Sequence, residues 1–575
     1  MNSTRAKVVA VCVLFAVVLL AAMAGGGFSG VFSEGASPTN NDTSSSEDRP
    51  ASPSTAETPG YVEGYWYDDE LSVDDRDDAA LEPDELDEVV YRSMARVEKI
   101  RNLTFEDEVD VDVVSREEYQ AESDDQFANA SGVEQLQQNV NYEALFMVDR
   151  ETDAEDEFDA LYGGNVAGYY EPATESVVVV SDNPETPETD EVILGHELLH
   201  ALQDQHFDLS SYDRDTIDQD TAVNGLIEGD AVWVEREYEQ RCETEWECVL
   251  PADEPPPAPD LNWGLYLTIF QPYSDGPDYV DALLERDDGW AAVDAAYDEP
   301  PTSSSDVIRP DESHETANVT VSDRSNDDWD QLAVDGEVAT ETVGEAGIVS
   351  MLAAGAFDPT EPTVIERGDL LADGGYEYDH RYTDGWVGDE LVTYVDEDTE
   401  PADTESAIDR TGYVWQTEWD TSEDAEQFLD GYTQLLEGYG AAPVEDRQNT
   451  YEIDDGYPGA YAIGHDGERV TIVRGPSVDD LDSIEAGVAA EGEDTIALGG
   501  DESGSDAVAD DDGSAVADPV TAGSLTAAAL VVFGTSVVIL VVRRRTTARR
   551  VESVVLVADA RADTAVAAPK SATDG

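Results

Sequence analysis

Apolar residues recur every three or four positions between Asp84 and Arg101, where Leu86, Val89, Val90, Met94 and Val97 share one face. That period predicts an amphipathic helix. Val109, Val111 and Val113 then alternate with acidic residues, the period of a half-buried strand. Two β-rich runs, 164–172 and 176–181, flank a turn-like Glu-Pro-Ala-Thr and predict a hairpin. Strand 176–181 is the candidate exposed edge on which an extended peptide could pair. Thr189 then offers an N-cap, with Asp190 and Glu191 in a first turn, and Val192, Ile193, Leu199 and Leu202 recur at helical spacing. A second helix is expected to begin near Asn224 and continue through Val234, Glu235 and Tyr238, with further helices between Phe270 and Val293. Beyond residue 325 the strand-like run 412–419 precedes a helix-like run 422–437, so the fold class is α+β throughout.

Two longer apolar runs have neither period. Residues 1–24 carry Arg5 and Lys7, an apolar stretch from Val8 to Met23, and Ala22-Met23-Ala24 before Gly25, the pattern of a secretory signal, cleaved or kept as an anchor. Val520–Val542 is an uncharged span of 23 mainly apolar residues followed by Arg543-Arg544-Arg545, the pattern of a transmembrane helix with a cytoplasmic basic flank. The expected organisation is therefore a signal (1–24), a Ser/Thr/Pro-rich acidic linker (25–59), a first folded domain (60–325), an accessory α+β domain (326–490), an acidic stalk (491–519), the membrane helix (520–542) and a tail (543–575). The folded parts are expected outside the cell.

Composition identifies the solvent. The chain has 133 acidic and 29 basic residues, and Lys99 is the one lysine between the two apolar runs. A formal charge of −104 repels itself in dilute buffer and is screened to about 3 Å in molar salt. With 40% hydrophobic residues, nine Trp and 25 Tyr, the chain can still build cores, so a halophilic surface protein is expected rather than a disordered one. Nucleic acid is excluded as a partner, because phosphate recognition needs clustered Lys and Arg. Cys242 and Cys248 lie six apart on the expected extracellular side, where a local disulfide is favoured over metal binding.

The candidate chemistry sits in Gly195-His196-Glu197-Leu198-Leu199-His200. Residues four apart lie on one helix face, so His196 and His200 can share a zinc ion, with Glu197 beside them as general base toward zinc-bound water. A catalytic zinc takes three protein ligands and keeps a position for water. Glu228, in Gly225-Leu226-Ile227-Glu228-Gly229-Asp230, is the favoured third ligand. His206 is the alternative, but Gln203 stands where a metzincin has glycine, so the helix continues and carries His206 about 80° from His196.

The run HELLHALQD resembles the active-site helix of the gluzincin zinc peptidases, including an aspartate four residues after the second histidine. The resemblance implies a zincin-like domain with a mixed sheet, an active-site helix and a glutamate helix, acting on peptide or protein substrates. It also implies that Asp204 supports a ligand histidine, although a solvated helix aspartate fits as well. Four residues after Glu228, where that family has a further acid, stands Val232, leaving Asp230 as its replacement. More widely, GYWYD at 64–68, MARVE at 94–98, GWVGD at 385–389 and WQTEW at 415–419 resemble a family of uncharacterised haloarchaeal membrane-anchored surface proteins. That resemblance bears on architecture. Two functions follow: a membrane-anchored zinc metalloendopeptidase, or a non-catalytic surface or adhesion protein with a structural or vestigial zinc site.

Overall fold

The computed structural model describes residues 14–15 and 49–499, apart from 75, 77–78, 128–130, 163–165, 252–260, 287–288, 313–315 and 373–374. The expected signal apart from 14–15, residues 25–48 of the linker, residues 500–519 of the stalk, the membrane helix and the tail lie outside these residues. No helix among the described residues is long and apolar enough to cross a membrane.

The first long helix, Pro83–Arg101, starts where Glu82 and Glu85 form a reciprocal capping box with proline at the first helical position, and it ends at Asn102 in the left-handed region. Asp110–Ser115 follows and runs parallel to Ser176–Ser181. Gly168–Glu171 completes the expected hairpin, antiparallel to Ser176–Ser181. The resulting sheet has the order Leu14–Phe15, Gly168–Glu171, Ser176–Ser181, Asp110–Ser115. Ser176–Ser181 is thus an interior strand, not the edge expected from sequence, and all six of its residues are buried. Four consecutive valines feed both faces of the sheet, a pattern of burial on two sides. The edges are Leu14–Phe15 and Asp110–Ser115; Gly168–Glu171 is covered on its far side by Leu14, which pairs with Tyr170, and Phe15, which pairs with Tyr169.

The HExxH helix spans Glu191–Phe207. Its N-cap is Asp190, not Thr189, because the Asp190 carboxylate accepts from the Val192 and Ile193 backbone N–H groups. The Thr189 N–H donates to the Ala79 carbonyl, and its buried hydroxyl makes no hydrogen bond among the described residues. The glutamate helix is longer than expected, Ile217–Thr244, so Glu228 lies in its middle rather than at its start. The Thr216 hydroxyl caps it by accepting from the Gln219 N–H, with Asp218 and Asp220 in the first turn. Against it lies Trp263–Leu284, which carries Pro272 and Pro277 inside the helix. Their backbones nearly touch: a methyl group on Gly229 would lie 2.4 Å from the Gly276 carbonyl carbon, and one on Gly276 2.6 Å from the Gly225 oxygen. Glycine at these positions sets the depth at which Glu228 sits.

Beyond residue 325 an eight-stranded antiparallel sheet is centred on Trp386–Asp396, Thr411–Trp419, Arg469–Gly475 and Gly459–Asp466, with helix Ser422–Gly438 beside it. One hydrophobic core joins Leu136, Val140, Phe146, Leu265 and Phe270 to Ile348, Leu352, Trp386, Trp415 and Tyr432. Residues on both sides of position 325 therefore share it, within one compact unit. A second core packs Val89, Val97, Leu198, Leu199, Leu202, Leu226, Ile227 and Val280 around the HExxH helix.

Three buried carboxylates lie near one another where the start of the glutamate helix approaches the large sheet. Glu341 accepts from the Ile217 N–H at the start of that helix and from the Asn141 amide. Asp218 accepts from the Ser304 N–H and hydroxyl, and Asp389 from the Val343 and Gly344 N–H groups and the Trp415 indole. Burial pushes the Glu341 carboxyl up to about 8, against the backbone N–H groups of Ile217 and Thr342 that favour its charge. Burial likewise lifts Asp218 to about 7, against its hydrogen bonds from Ser304. Both shifts are upward, so the folded chain retains protons that an unfolded chain releases near the ordinary carboxylate pKa of about 4. The stability they contribute is complete below that range and is lost as pH rises through about 7 for Asp218 and about 8 for Glu341. Urea midpoints taken in constant molar salt are expected to fall from about pH 5 to pH 9, and Glu341→Gln, neutral throughout, should flatten the fall. A midpoint that climbs over this range would contradict the assignment.

Candidate metal centre

Four residues apart on the HExxH helix, His196 and His200 turn to the same face, and their rings meet edge-on at 4.8 Å. Glu228 reaches the same point from the glutamate helix. Its Oε2 lies 3.3 Å from His196 Nε2 and 3.4 Å from His200 Nε2. These side chains are almost wholly buried, at 2%, 0% and 3% exposure. Among the described residues, they form the one group of three or more His, Cys, Asp or Glu side chains at metal-binding distance.

The donor set fits zinc. Two ligand atoms bound at about 2.0–2.1 Å in tetrahedral geometry are roughly 3.3–3.4 Å apart. The carboxylate-to-imidazole separations match that edge. His196 Nε2, His200 Nε2 and Glu228 Oε2 are buried without a hydrogen-bond partner in the protein, a costly arrangement unless a cation satisfies all three. Burial opposes the charge of Glu228, but the two imidazoles outweigh it and hold its carboxyl down at about 2. Burial also opposes charge on His196, and there Glu228 and Glu235 prevail, raising it well above the usual imidazole value. The site thus attracts positive charge.

Glu197 lies beside this group at 1% exposure, with both carboxylate oxygens unpartnered. Burial raises it to about 7, against the pull of His196 and His200. The strand Gly168–Glu171 passes next to it: a methyl group on Gly168 would lie 3.8 Å from Glu197 Cγ. A proton acceptor and a strand therefore flank the same buried point.

Both ligand rings are held from behind. Glu235 Oε2 lies 2.7 Å from His196 Nδ1, and Gln203 Oε1 lies 2.8 Å from His200 Nδ1. Neither partner was expected from sequence, although spacing carried the signal. Glu235 follows Glu228 by two helical turns, and Gln203 follows His200 by three residues, so Glu235 shares a face with Glu228 and Gln203 with His200. The supports that were expected act differently. Asp204 touches neither ligand: its Oδ2 accepts from the Tyr170 hydroxyl at 2.7 Å and its Oδ1 from the Leu209 N–H at 2.8 Å. It ties the strand Gly168–Glu171 to the end of the HExxH helix. Asp230 meets Arg101, Tyr297 and Gln203 rather than a histidine. His206 is turned away, its Nε2–H donating to the Thr104 carbonyl at 2.8 Å. Continuation of the helix to Phe207 carries it off the metal face.

The start of the HExxH helix is anchored by Glu191, whose buried carboxylate accepts from Arg92, Arg96, the Tyr238 hydroxyl and the Val249 N–H. Cys242 and Cys248 form a disulfide at the end of the glutamate helix. Arg96 joins the two features, donating to Glu191, to the Glu247 carbonyl and to Cys248 Sγ.

Residues 330–485, within the large-sheet region, match a family described as a domain of unknown function (DUF8575). The match includes none of the three metal-facing side chains. No curated protein and no solved structure matches the chain.

Proposed function

We propose that this chain is a zinc-dependent endopeptidase of the gluzincin type, held at the surface of a halophile by its C-terminal apolar segment. The observation that carries the reading is the convergence of three unpartnered buried ligand atoms beside an unpartnered buried glutamate. Zinc held by His196, His200 and Glu228 would lower the pKa of a bound water to about 7 and polarise a scissile carbonyl. Glu197 takes the proton of the attacking water and delivers it to the leaving amine. Glu235 and Gln203 keep the imidazoles aimed. Cleavage of the expected signal would remove Leu14–Phe15 and leave Gly168–Glu171 open to an extended peptide, whose main-chain hydrogen bonds carry affinity without demanding a particular side chain. The absence of lysine-rich surface and the large negative charge fit work in molar salt.

The test is zinc per chain in the full-length protein purified in molar salt. One zinc is expected in the unaltered chain and in His206→Ala, and none in Glu228→Ala. Zinc lost with His206 rather than Glu228 would overturn the ligand assignment. Stoichiometric zinc with no cleavage of any unfolded protein substrate would favour the non-catalytic surface protein instead.

A further inference from the structure

We propose that Gln203 is the positioning residue that fixes which nitrogen of His200 faces the metal, and that Tyr297 and Asp230 influence the site only through it. The proposal rests on the metal-site reading above, but not on peptidase activity. Its basis is the direction in which the Gln203 amide must point.

Three groups surround Gln203 Nε2: the Ile227 carbonyl at 3.0 Å, the Tyr297 hydroxyl at 2.8 Å and Asp230 Oδ2 at 3.4 Å. The carbonyl and the carboxylate can only accept. The Tyr297 hydroxyl gives its own proton to Asp230 Oδ2 at 2.9 Å, so toward Gln203 it too accepts. A flipped amide would set its oxygen against three acceptors at once, in a region where Gln203, Asp230 and Tyr297 are at most 3% exposed. The orientation is therefore forced, and Oε1 faces His200 Nδ1 at 2.8 Å. An amide oxygen is an acceptor only, so Nδ1 carries the proton. Nε2 is left with its lone pair on the side of Glu228 Oε2, where a metal ligand is needed.

Asp230 is itself held. Arg101 Nε donates to both of its carboxylate oxygens at 2.9 Å, while Arg101 Nη2 pairs with Asp294 and the guanidinium lies 4.3 Å from the Trp290 ring centre. The last residue of the first helix is thereby linked through Asp230 and Gln203 to a ligand on the HExxH helix. A glutamate at 203 would face the Asp230 carboxylate, already 3.4 Å from the Gln203 nitrogen, as a second buried anion. The neutral amide passes on orientation without adding charge. His196 differs, since its partner Glu235 is a carboxylate that is partly open to solvent.

The test is a double-variant cycle on zinc affinity, measured in the full chain by chelator competition, with cobalt(II) absorption as a report on ligand geometry. Gln203→Met keeps the volume and removes both polar atoms; it should weaken zinc binding by about 10–100-fold. Tyr297→Phe frees one side of the amide and should weaken it less. Combined with Gln203→Met, it should add nothing further, because its effect passes through the same side chain. Metal-free unfolding midpoints of the variants serve to separate positioning from folding: a positioning role leaves an affinity loss and an altered cobalt spectrum where midpoints match. Wild-type zinc affinity in Gln203→Met would overturn the proposal while leaving the metal site intact, and so would additive losses in the double variant. Failure of the unaltered chain to bind zinc would overturn the metal reading itself.

Discussion

Glu197→Gln is expected to retain one zinc per chain and to lose about 10²–10⁴-fold in peptide hydrolysis, the usual contribution of a positioned proton acceptor. The separation follows from geometry. Glu197 is not among the three converging ligand atoms, and its two oxygens have no protein partner, so an amide of the same shape leaves His196, His200 and Glu228 in place. What it would remove, on the proposed mechanism, is the basic oxygen that takes the proton of the attacking water. Glu228→Ala should behave in the opposite way and fail at binding, since it deletes the atom 3.3–3.4 Å from both imidazoles. Measuring zinc content and turnover on the same two preparations distinguishes the roles. Full turnover in Glu197→Gln would dismiss it as the base, and zinc lost from that variant would make it a ligand.

The residues of the candidate metal centre were legible in the sequence because their chemistry is local. His196, Glu197 and His200 lie within one helical turn, and helical period alone places them together. Glu228 was readable from the glycine-flanked acid in a second apolar run. Its depth was not, because that depends on Gly225 and Gly229 meeting Gly276, a contact between helices that no single stretch of sequence displays. Ser176–Ser181 was misread as an edge strand for a related reason. Val177–Val180 has the composition of any β-strand, and only its pairing with both Asp110–Ser115 and Gly168–Glu171 makes it interior. Polar supports were the least legible. Asp204 and Asp230 stand where a carboxylate could reach a histidine, yet Tyr170 and Arg101, distant in sequence, claim them first. Buried polar groups take the partner that tertiary structure supplies, and in this site an amide fills the role expected of an acid.

Glu191→Gln is expected to cost about 3–5 kcal/mol of folding stability, the range for removing one partner of a buried ion pair. Glu191 is completely buried, and its two ion-pair partners, Arg92 and Arg96, are at most 2% exposed at their side chains. Its oxygens accept from Arg92 at 2.8 Å, Arg96 at 2.6 Å, Tyr238 at 2.8 Å and the Val249 N–H at 2.8 Å. Asp74 also pairs with Arg92, but among the described residues Glu191 is the one carboxylate ion-paired to Arg96, which also meets carbonyls, the disulfide sulfur and aromatic rings. A glutamine keeps the volume, removes the charge and turns a donor toward groups that all donate. Molar salt should not rescue this loss, because ions screen exposed pairs and do not reach buried ones. The urea midpoint should therefore drop by a similar amount at any salt concentration that keeps the chain folded, while exposed Glu185→Gln should leave it unchanged. The effect should also reach the metal. Glu191 is the first residue of the HExxH helix, and Tyr238, bonded to it, lies about three turns beyond Glu228 and one turn beyond Glu235 on the glutamate helix. Freeing that hub loosens the two helices that must hold His196 and Glu228 within 3.3 Å of each other. Zinc affinity should weaken in the same variant, and a loss below about 1 kcal/mol with unchanged zinc binding would show that the glutamate neither supports the fold nor sets the site.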